Sequence, residues 1–215
     1  MRLAKGGGPW VLASSGITVL LLSCSIAFTN FLRTLCVVLF VFFLLVSCLL
    51  LIFFRDPERA IGQGIIAVAD GKIREILQLQ DPDVGECTRI STFMNIHNVH
   101  VNRMPLDGTI TSLRHQRGGH FPAFAKESER NERVILLLDT RIGAVKIVQI
   151  AGTVARRIVP YANQGDTLVK GARLGLIRLG SRVDVYLPTK KIKPLSIHVN
   201  DRVRAGVDTL AQCHD

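Results

Sequence analysis

Paired cysteines, acidic side chains and aromatic rings are all in short supply in this 215-residue chain, and each shortage excludes something. The five cysteines (Cys24, Cys36, Cys48, Cys87 and Cys213) are odd in number, form no Cys-x-x-Cys pair, and three of them lie in apolar stretches. That is neither a disulfide framework nor the ligand spacing of a zinc site, so no metal is expected, and it suits a reducing compartment. Seventeen acidic residues against 27 Lys and Arg leave a net charge of +10. Such a surface suits an anionic partner, either nucleic acid or membrane headgroups. Aromatic residues are only 6% of the chain and do not interleave with cations in the manner of an RNA-binding motif, which argues against nucleic acid.

Charge is nearly absent from residues 11–54, where Arg33 stands alone. Val11 to Phe28 and Leu35 to Phe54 are apolar runs of about 18 and about 20 residues, and a helix needs about 20 to cross a bilayer. Residues 1–54 therefore read as a membrane anchor, a hydrophobic helical hairpin that turns around residues 29–34. A cleaved signal peptide would show one short apolar core and then a small-residue site. Here a second run follows at once and ends in Phe53-Phe54-Arg55-Asp56. A monotopic hairpin that dips into one leaflet fits the same residues. Arg2 and Lys5 before the first run, with Arg55 and Arg59 after the second, outweigh Arg33 in the turn. Cationic flanks stay inside, which places both ends and the following domain on the cytoplasmic side of the cell membrane. The three cations before residue 55 meet no acid there, so +7 remains on the rest of the chain.

Residues 55–215 lack any long amphipathic helix. Short runs of Val, Ile and Thr recur every eight to twelve residues between Gly, Asp and Asn, as in Gly64–Ala69, Cys87–Phe93, Val134–Asp139 and Val145–Ile150. That is the signature of a β-sandwich or barrel. The stretch from Gln116 to Arg133 is polar and reads as a long loop with one helical turn. Two heptapeptides, Gly165-Asp-Thr-Leu-Val-Lys-Gly171 and Asn200-Asp-Arg-Val-Arg-Ala-Gly206, share one pattern, and Asp70-Gly71 and Asp107-Gly108 each open a strand-like run. Gly and Asn tolerate positive φ, so these are tight turns of the kind found in biotinyl- and lipoyl-type folds. The expected class is mainly β: a domain resembling a barrel-sandwich hybrid, preceded by the helical hairpin.

Leu174-Gly-Leu-Ile-Arg-Leu-Gly-Ser-Arg-Val-Asp-Val-Tyr-Leu-Pro188 places Gly180-Ser181 inside an apolar, strand-like run. A serine hydroxyl can attack the preceding carbonyl when a base, an oxyanion site and an exposed bond are supplied. Taken alone, the pair is more simply a solvent-facing serine. The six histidines (His97, His100, His115, His120, His198 and His214) are the available imidazole bases.

Several blocks carry a family resemblance. They are Phe53-Phe-Arg-Asp-Pro-Glu-Arg59, Val68-Ala-Asp-Gly-Lys-Ile73 (with Val68 where proline is usual), Asn98-Val-His-Val-Asn-Arg-Met-Pro105, Asn131-Glu132-Arg133, and the run around Gly180-Ser181. In this order they resemble the short form of phosphatidylserine decarboxylase, which includes archaetidylserine decarboxylase, over nearly all of residues 55–215. The resemblance implies autocatalytic cleavage between Gly180 and Ser181, giving two fragments, 1–180 and 181–215, that stay together. Ser181 would become a pyruvoyl group, the built-in cofactor, which takes the substrate amine as a Schiff base; no pyridoxal phosphate pattern is present. His100 would be the base and Asp70 the acid that orients it. Long-form relatives carry a second histidine where Arg103 stands. Arg103, Arg178, Arg182 and His115 are candidates for holding the lipid headgroup. His97 lies an odd number of residues from His100, so on a strand the two face opposite sides.

The implied activity is decarboxylation of a serine-headgroup phospholipid to the ethanolamine lipid, with diacyl and archaeal ether tails equally compatible. A membrane-anchored adaptor or a lipoyl/biotinyl carrier is the alternative, although neither Lys170 nor Lys190-Lys191 presents a carrier hairpin. Exposed β edges leave room for a homo-oligomer.

Overall fold

Beyond the first 57 residues burial alternates with a period of two in places, most clearly over residues 133–138, while other strand segments are buried on both faces. The computed structural model describes residues 2–119, 121, 130–152, 157–178 and 181–214; Gly180, His120 and residues 122–129 of the polar loop expected before Arg133 lie outside the described residues. The chain divides into two compact units, Met1–Pro57 and Glu58–Asp215.

In the first unit, β1 (Arg2–Leu3) pairs antiparallel with β2 (Arg55–Asp56) and closes the base of a helical hairpin, α1 (Gly8–Ala27) and α2 (Asn30–Phe53). Pro9 sits in the first turn of α1, where its missing N–H costs nothing. The turn is shorter than the sequence suggests, because Asn30 adopts the left-handed conformation (φ 53°) that asparagine tolerates. Thr18 Oγ1 donates to the Ser14 carbonyl at 2.8 Å and lies 3.3 Å from Ser47 Oγ, so small hydroxyl residues mark where the helices meet. Elsewhere the helices present Leu12, Ile26, Phe31 and Leu45 outward. Both are long and apolar enough to cross a membrane.

The described residues of the second unit form β3 (Ile65–Ile66), β4 (Gly71–Asp81), β5 (Gly85–Met94), β6 (Val101–Arg103), β7 (Gly108–Gln116), β8 (Arg133–Thr140), β9 (Gly143–Ile150), β10 (Ile158–Pro160), β11 (Thr167–Leu168), β12 (Arg173–Ile177), β13 (Ser181–Pro188), β14 (Arg202–Val203) and β15 (Thr209–Ala211). Eight form one antiparallel sheet in the order β11-β7-β8-β9-β13-β5-β4-β14. A three-stranded sheet, β10-β12-β6, and the pair β15-β3 complete the domain. The class is mainly β, as expected, but among the described residues no barrel closes: the large sheet stays open and ends in β11 and β14.

The two similar heptapeptides build those two edges. Gly165 and Asn200 have φ of 93° and 82°, and Gly171 and Gly206 both have φ of 81°. Asp166 accepts the Asn163 N–H at 2.8 Å, and Asp201 accepts the His198 N–H at 2.7 Å. Each turn then exchanges backbone bonds with the strand beside it, Ile110 in one case and Ile73 in the other. One side-chain pattern therefore makes the same corner twice, at opposite ends of the sheet.

The core lies on the inner face of the large sheet. Ile90 and Met94, Val134, Leu136 and Leu138, Ile147, and Val183, Val185 and Leu187 all point into it and are essentially inaccessible. Strand β13 is hydrogen-bonded on both sides, to β5 along its length and to β9 from Arg182 to Tyr186.

Candidate active site

Ser181 opens β13 opposite Met94. Its side chain shares the inward face with Val183 and Val185 and is fully buried. Its Oγ has no hydrogen-bond partner among the described residues. A buried hydroxyl left unbonded costs about 1–3 kcal/mol, so its retention calls for a reason other than packing.

His100 precedes β6 and is also fully buried. Its Nδ1 lies 2.9 Å from the Asn98 carbonyl oxygen, which can only accept. In the neutral ring Nδ1 therefore carries the proton and Nε2 is the acceptor nitrogen, the tautomer a general base needs. The His100 carbonyl accepts the N–H of Ile177, the last residue of β12, four positions before Ser181. Two residues on, the Asn102 amide reaches Met94 Sδ at 3.8 Å and accepts Gln149 Nε2 at 2.7 Å. Met94 is the backbone partner of Ser181, so Asn102, two residues after His100, touches the residue paired with Ser181. His97 lies in the exposed turn before β6, and its face relative to His100 is set by that turn rather than by strand alternation.

Asp70 is buried just before β4. Its Oδ1 and Oδ2 lie 2.5 and 2.9 Å from the two terminal nitrogens of Arg59, and Oδ1 also accepts the Ala205 N–H at 2.7 Å. Gly71 follows because a Cβ there would strike the Phe93 carbonyl. The Asp-Gly pair thus marks a close approach of β4 and β5.

The four headgroup candidates separate. Arg182 alternates to the outer face of β13, away from Ser181, and grips Asp184 through Nε at 2.8 Å and Nη2 at 2.6 Å. Arg103 is buried and donates to the Gly171 carbonyl at 3.2 Å. His115 is exposed, with Nε2 2.9 Å from Glu132. Arg178 is half-buried and three residues before Ser181; its N–H meets the Arg157 carbonyl at 3.1 Å, continuing the register of Ile158 against Ile177. The two guanidiniums are therefore cross-strand neighbours. Burial first, and Arg157 second, hold the Arg178 guanidinium below its ordinary pKa, with Tyr161 acting the other way.

Sequence reasoning passed over Arg59, Asn102, Gln149 and the Asn98 carbonyl. Arg59 and Asn102 sit inside blocks already noted, and Asn102 sits two residues beyond His100, a spacing that on a strand puts both on one face, a signal that was available. Gln149 and a backbone carbonyl carry none.

A family model described as phosphatidylserine decarboxylase matches residues 47–211. This chain belongs to the phosphatidylserine decarboxylase family. A phosphatidylserine decarboxylase proenzyme of Streptomyces avermitilis is 52% identical over 156 residues, covering 72% of this chain and 70% of its own length. The proenzyme of Streptomyces griseus is 45% identical over 208 residues, 96% of this chain and 92% of its own. A putative archaetidylserine decarboxylase proenzyme of Methanococcoides burtonii is 38% identical over 215 residues, 98% and 96% of the two chains. The family makes this chain an enzyme, a carboxy-lyase, which displaces the adaptor and carrier alternatives.

Proposed function

We propose that the protein decarboxylates a serine-headgroup phospholipid, phosphatidylserine or archaetidylserine, to the ethanolamine lipid after cleaving itself between Gly180 and Ser181. The observation that carries this is the buried, unbonded Ser181 hydroxyl at the start of β13. Similarity to proteins named proenzymes supports the processing.

In this reading His100 Nε2 takes the proton as Ser181 Oγ attacks the Gly180 carbonyl. The peptide bond becomes an ester, the ester is eliminated, and water then releases the former Ser181 nitrogen as ammonia. Gly180 is left as a carboxylate, and position 181 as a pyruvoyl group. That group suits the position, because a methyl replaces a hydroxyl that has no partner there. When present, it supplies a carbonyl that accepts the substrate amine and draws off the electrons left by CO₂. His100, or a water it holds, returns a proton to that carbon. Fragments 1–180 and 181–215 stay associated because β13 remains bonded to β5 and β9 of the larger one.

The phosphodiester of the substrate keeps its charge throughout, whereas the carboxylate loses it. A cation on the carboxylate would stabilise the ground state and raise the barrier. Arg178, half-buried beside Arg157 and three residues before Ser181, therefore suits the phosphodiester. Residues 1–54 anchor the enzyme where its substrate lies, with the catalytic domain, 55–215, on the cytoplasmic side.

Intact-mass measurement tests the reading. The purified protein should give two chains divided at Gly180-Ser181, the smaller lighter by one ammonia than the same fragment beginning with serine. Ser181→Ala should give one uncleaved, inactive chain. A single full-length mass for an active wild-type enzyme would sink the proposal.

A further inference from the structure

Asp70 and Asp107 close matching corners of the large sheet with matching bonds. Asp107 Oδ1 accepts the Lys170 N–H at 2.7 Å, and Asp70 Oδ1 accepts the Ala205 N–H at 2.7 Å; Lys170 and Ala205 each precede the closing glycine of their heptapeptide. The next N–H in each turn, of Gly171 and Gly206, bonds the carbonyl three residues before the aspartate, Met104 and Ala67. Beyond that frame the corners differ. Asp107 is exposed, and its one described side-chain bond is to the Lys170 N–H. Asp70 is buried and held in a two-toothed grip by Arg59. The corner itself therefore needs no arginine.

Arg59 is built into place. Its side chain is only 11% exposed, and Nη1 donates a second bond to the Ala205 carbonyl at 2.7 Å. Three residues on, the Gly62 N–H bonds the Gly206 carbonyl at 3.0 Å, and a Cβ at Gly62 would strike the Val207 carbonyl. The stretches 59–62, 67–70 and 205–207 are thus sewn together around one carboxylate. Two parallel N–H···O bonds fix the plane of that carboxylate as well as its position, which a point charge cannot do.

We propose that Arg59 is a positioning residue for the self-processing site, holding the Asp70 carboxylate in one plane and tying it to the peptide unit of Ala205. The proposal rests on the reading in which Asp70 serves the His100–Ser181 chemistry, and it does so through the chain that follows it: its oxygens bond Arg59 and the Ala205 N–H rather than the imidazole, and Gly71 packs on the Phe93 carbonyl, one residue before Met94, the partner of Ser181. Ala205 lies downstream of the cleavage point, so after processing the same guanidinium bridges the larger fragment to the smaller.

Time courses of self-cleavage of the full chain in detergent, followed by denaturing gel, provide the test, with melting temperature measured alongside. Arg59→Gln should slow cleavage about 10²-fold, the scale of an ångström-level misplacement in a catalytic group. Arg59→Lys keeps the charge but not the paired bonds and should recover only part of the rate. In an Asp70→Asn background, Arg59→Gln should add no further slowing, a non-additivity that a merely structural arginine would not produce. The proposal falls if Arg59→Gln cleaves at the wild-type rate, or slows cleavage by the same factor in both backgrounds. Asp70→Asn cleaving at the wild-type rate would instead remove the role of Asp70. An active wild-type chain that never cleaves would remove the self-processing reading itself.

Discussion

The Asp70 and Asp107 corners begin with the same dipeptide, accept the same backbone N–H at 2.7 Å and lie beside opposite edge strands of one sheet. One faces water; the other is buried under a guanidinium. A turn needs a carboxylate only as a local acceptor, and water can share that task. A carboxylate removed from water at the second corner is costly unless paired, and a fold that needed only the turn would have no use for it. On the proposed reading, the difference separates what the aspartate does for the backbone from what it does for self-processing. The most direct way to break the comparison is to change both residues. Asp70→Asn should reduce self-cleavage by about 10²–10⁴-fold, the span of a lost acid–base contribution. Asp107→Asn, which can still accept the Lys170 N–H, should leave cleavage within about twofold and stability within about 0.5 kcal/mol. Equal effects at the two corners, read on the same gels, would end the distinction.

The two faces of β13 extend the contrast. Inward lies Ser181 with an unbonded hydroxyl; outward, Arg182 grips Asp184 and Lys146 lies 4.9 Å from the centre of the Tyr186 ring. Lys146 Nζ also sits 2.5 Å from Asp81 and 3.0 Å from Asp83. Burial works to lower its pKa, but the two carboxylates overcome that and hold it above the ordinary lysine value. Charged groups on this face have partners and should matter for stability alone. Lys146→Met strands Asp81, whose side chain is 8% exposed. Removing one member of a buried pair costs about 3 kcal/mol, a fall of about 10 °C in Tm for a domain of this size. Cleavage of the folded variant should proceed at the wild-type rate. A variant that melts normally but fails to cleave would place Lys146 in the chemistry instead.

Much of this was visible in residue order, for physical reasons that differ by element. The helical hairpin was legible because each of its apolar runs is uninterrupted over a helix's length. The edge turns were legible because positive φ restricts the residue type at Gly165, Gly171, Asn200 and Gly206. Ser181 was noticed because a hydroxyl interrupts an apolar alternation, and the same alternation already implied that Arg182 faces the other way. What stayed hidden depends on long-range closure. Nothing local pairs Arg59 with Ala205, 146 positions later, or selects the Asn98 carbonyl to orient His100. The open edge of the sheet was equally invisible, since strand count and spacing do not say whether a sheet closes.

Asp83 offers the smallest and most selective test, because it shares Lys146 with Asp81 but is 28% exposed. The hydrogen bond from Lys146 outweighs burial and holds the Asp83 carboxyl below its ordinary pKa. A carboxyl depressed by folding contributes stability that is fully present above its unfolded value, about 3.9, and is lost as pH falls through the lower folded value. Asp83→Asn should therefore lower Tm slightly at neutral pH, and the gap from wild type should close as pH falls below the unfolded value of about 3.9. Partial exposure limits the neutral-pH gap to less than about 1 kcal/mol. A gap that widens on acidification would mean that folding raises the Asp83 pKa, and the Lys146 contact would then not be the dominant influence. A gap as large as that for Lys146→Met would mean that charge pairing, rather than the burial of Asp81, sets the cost on this face.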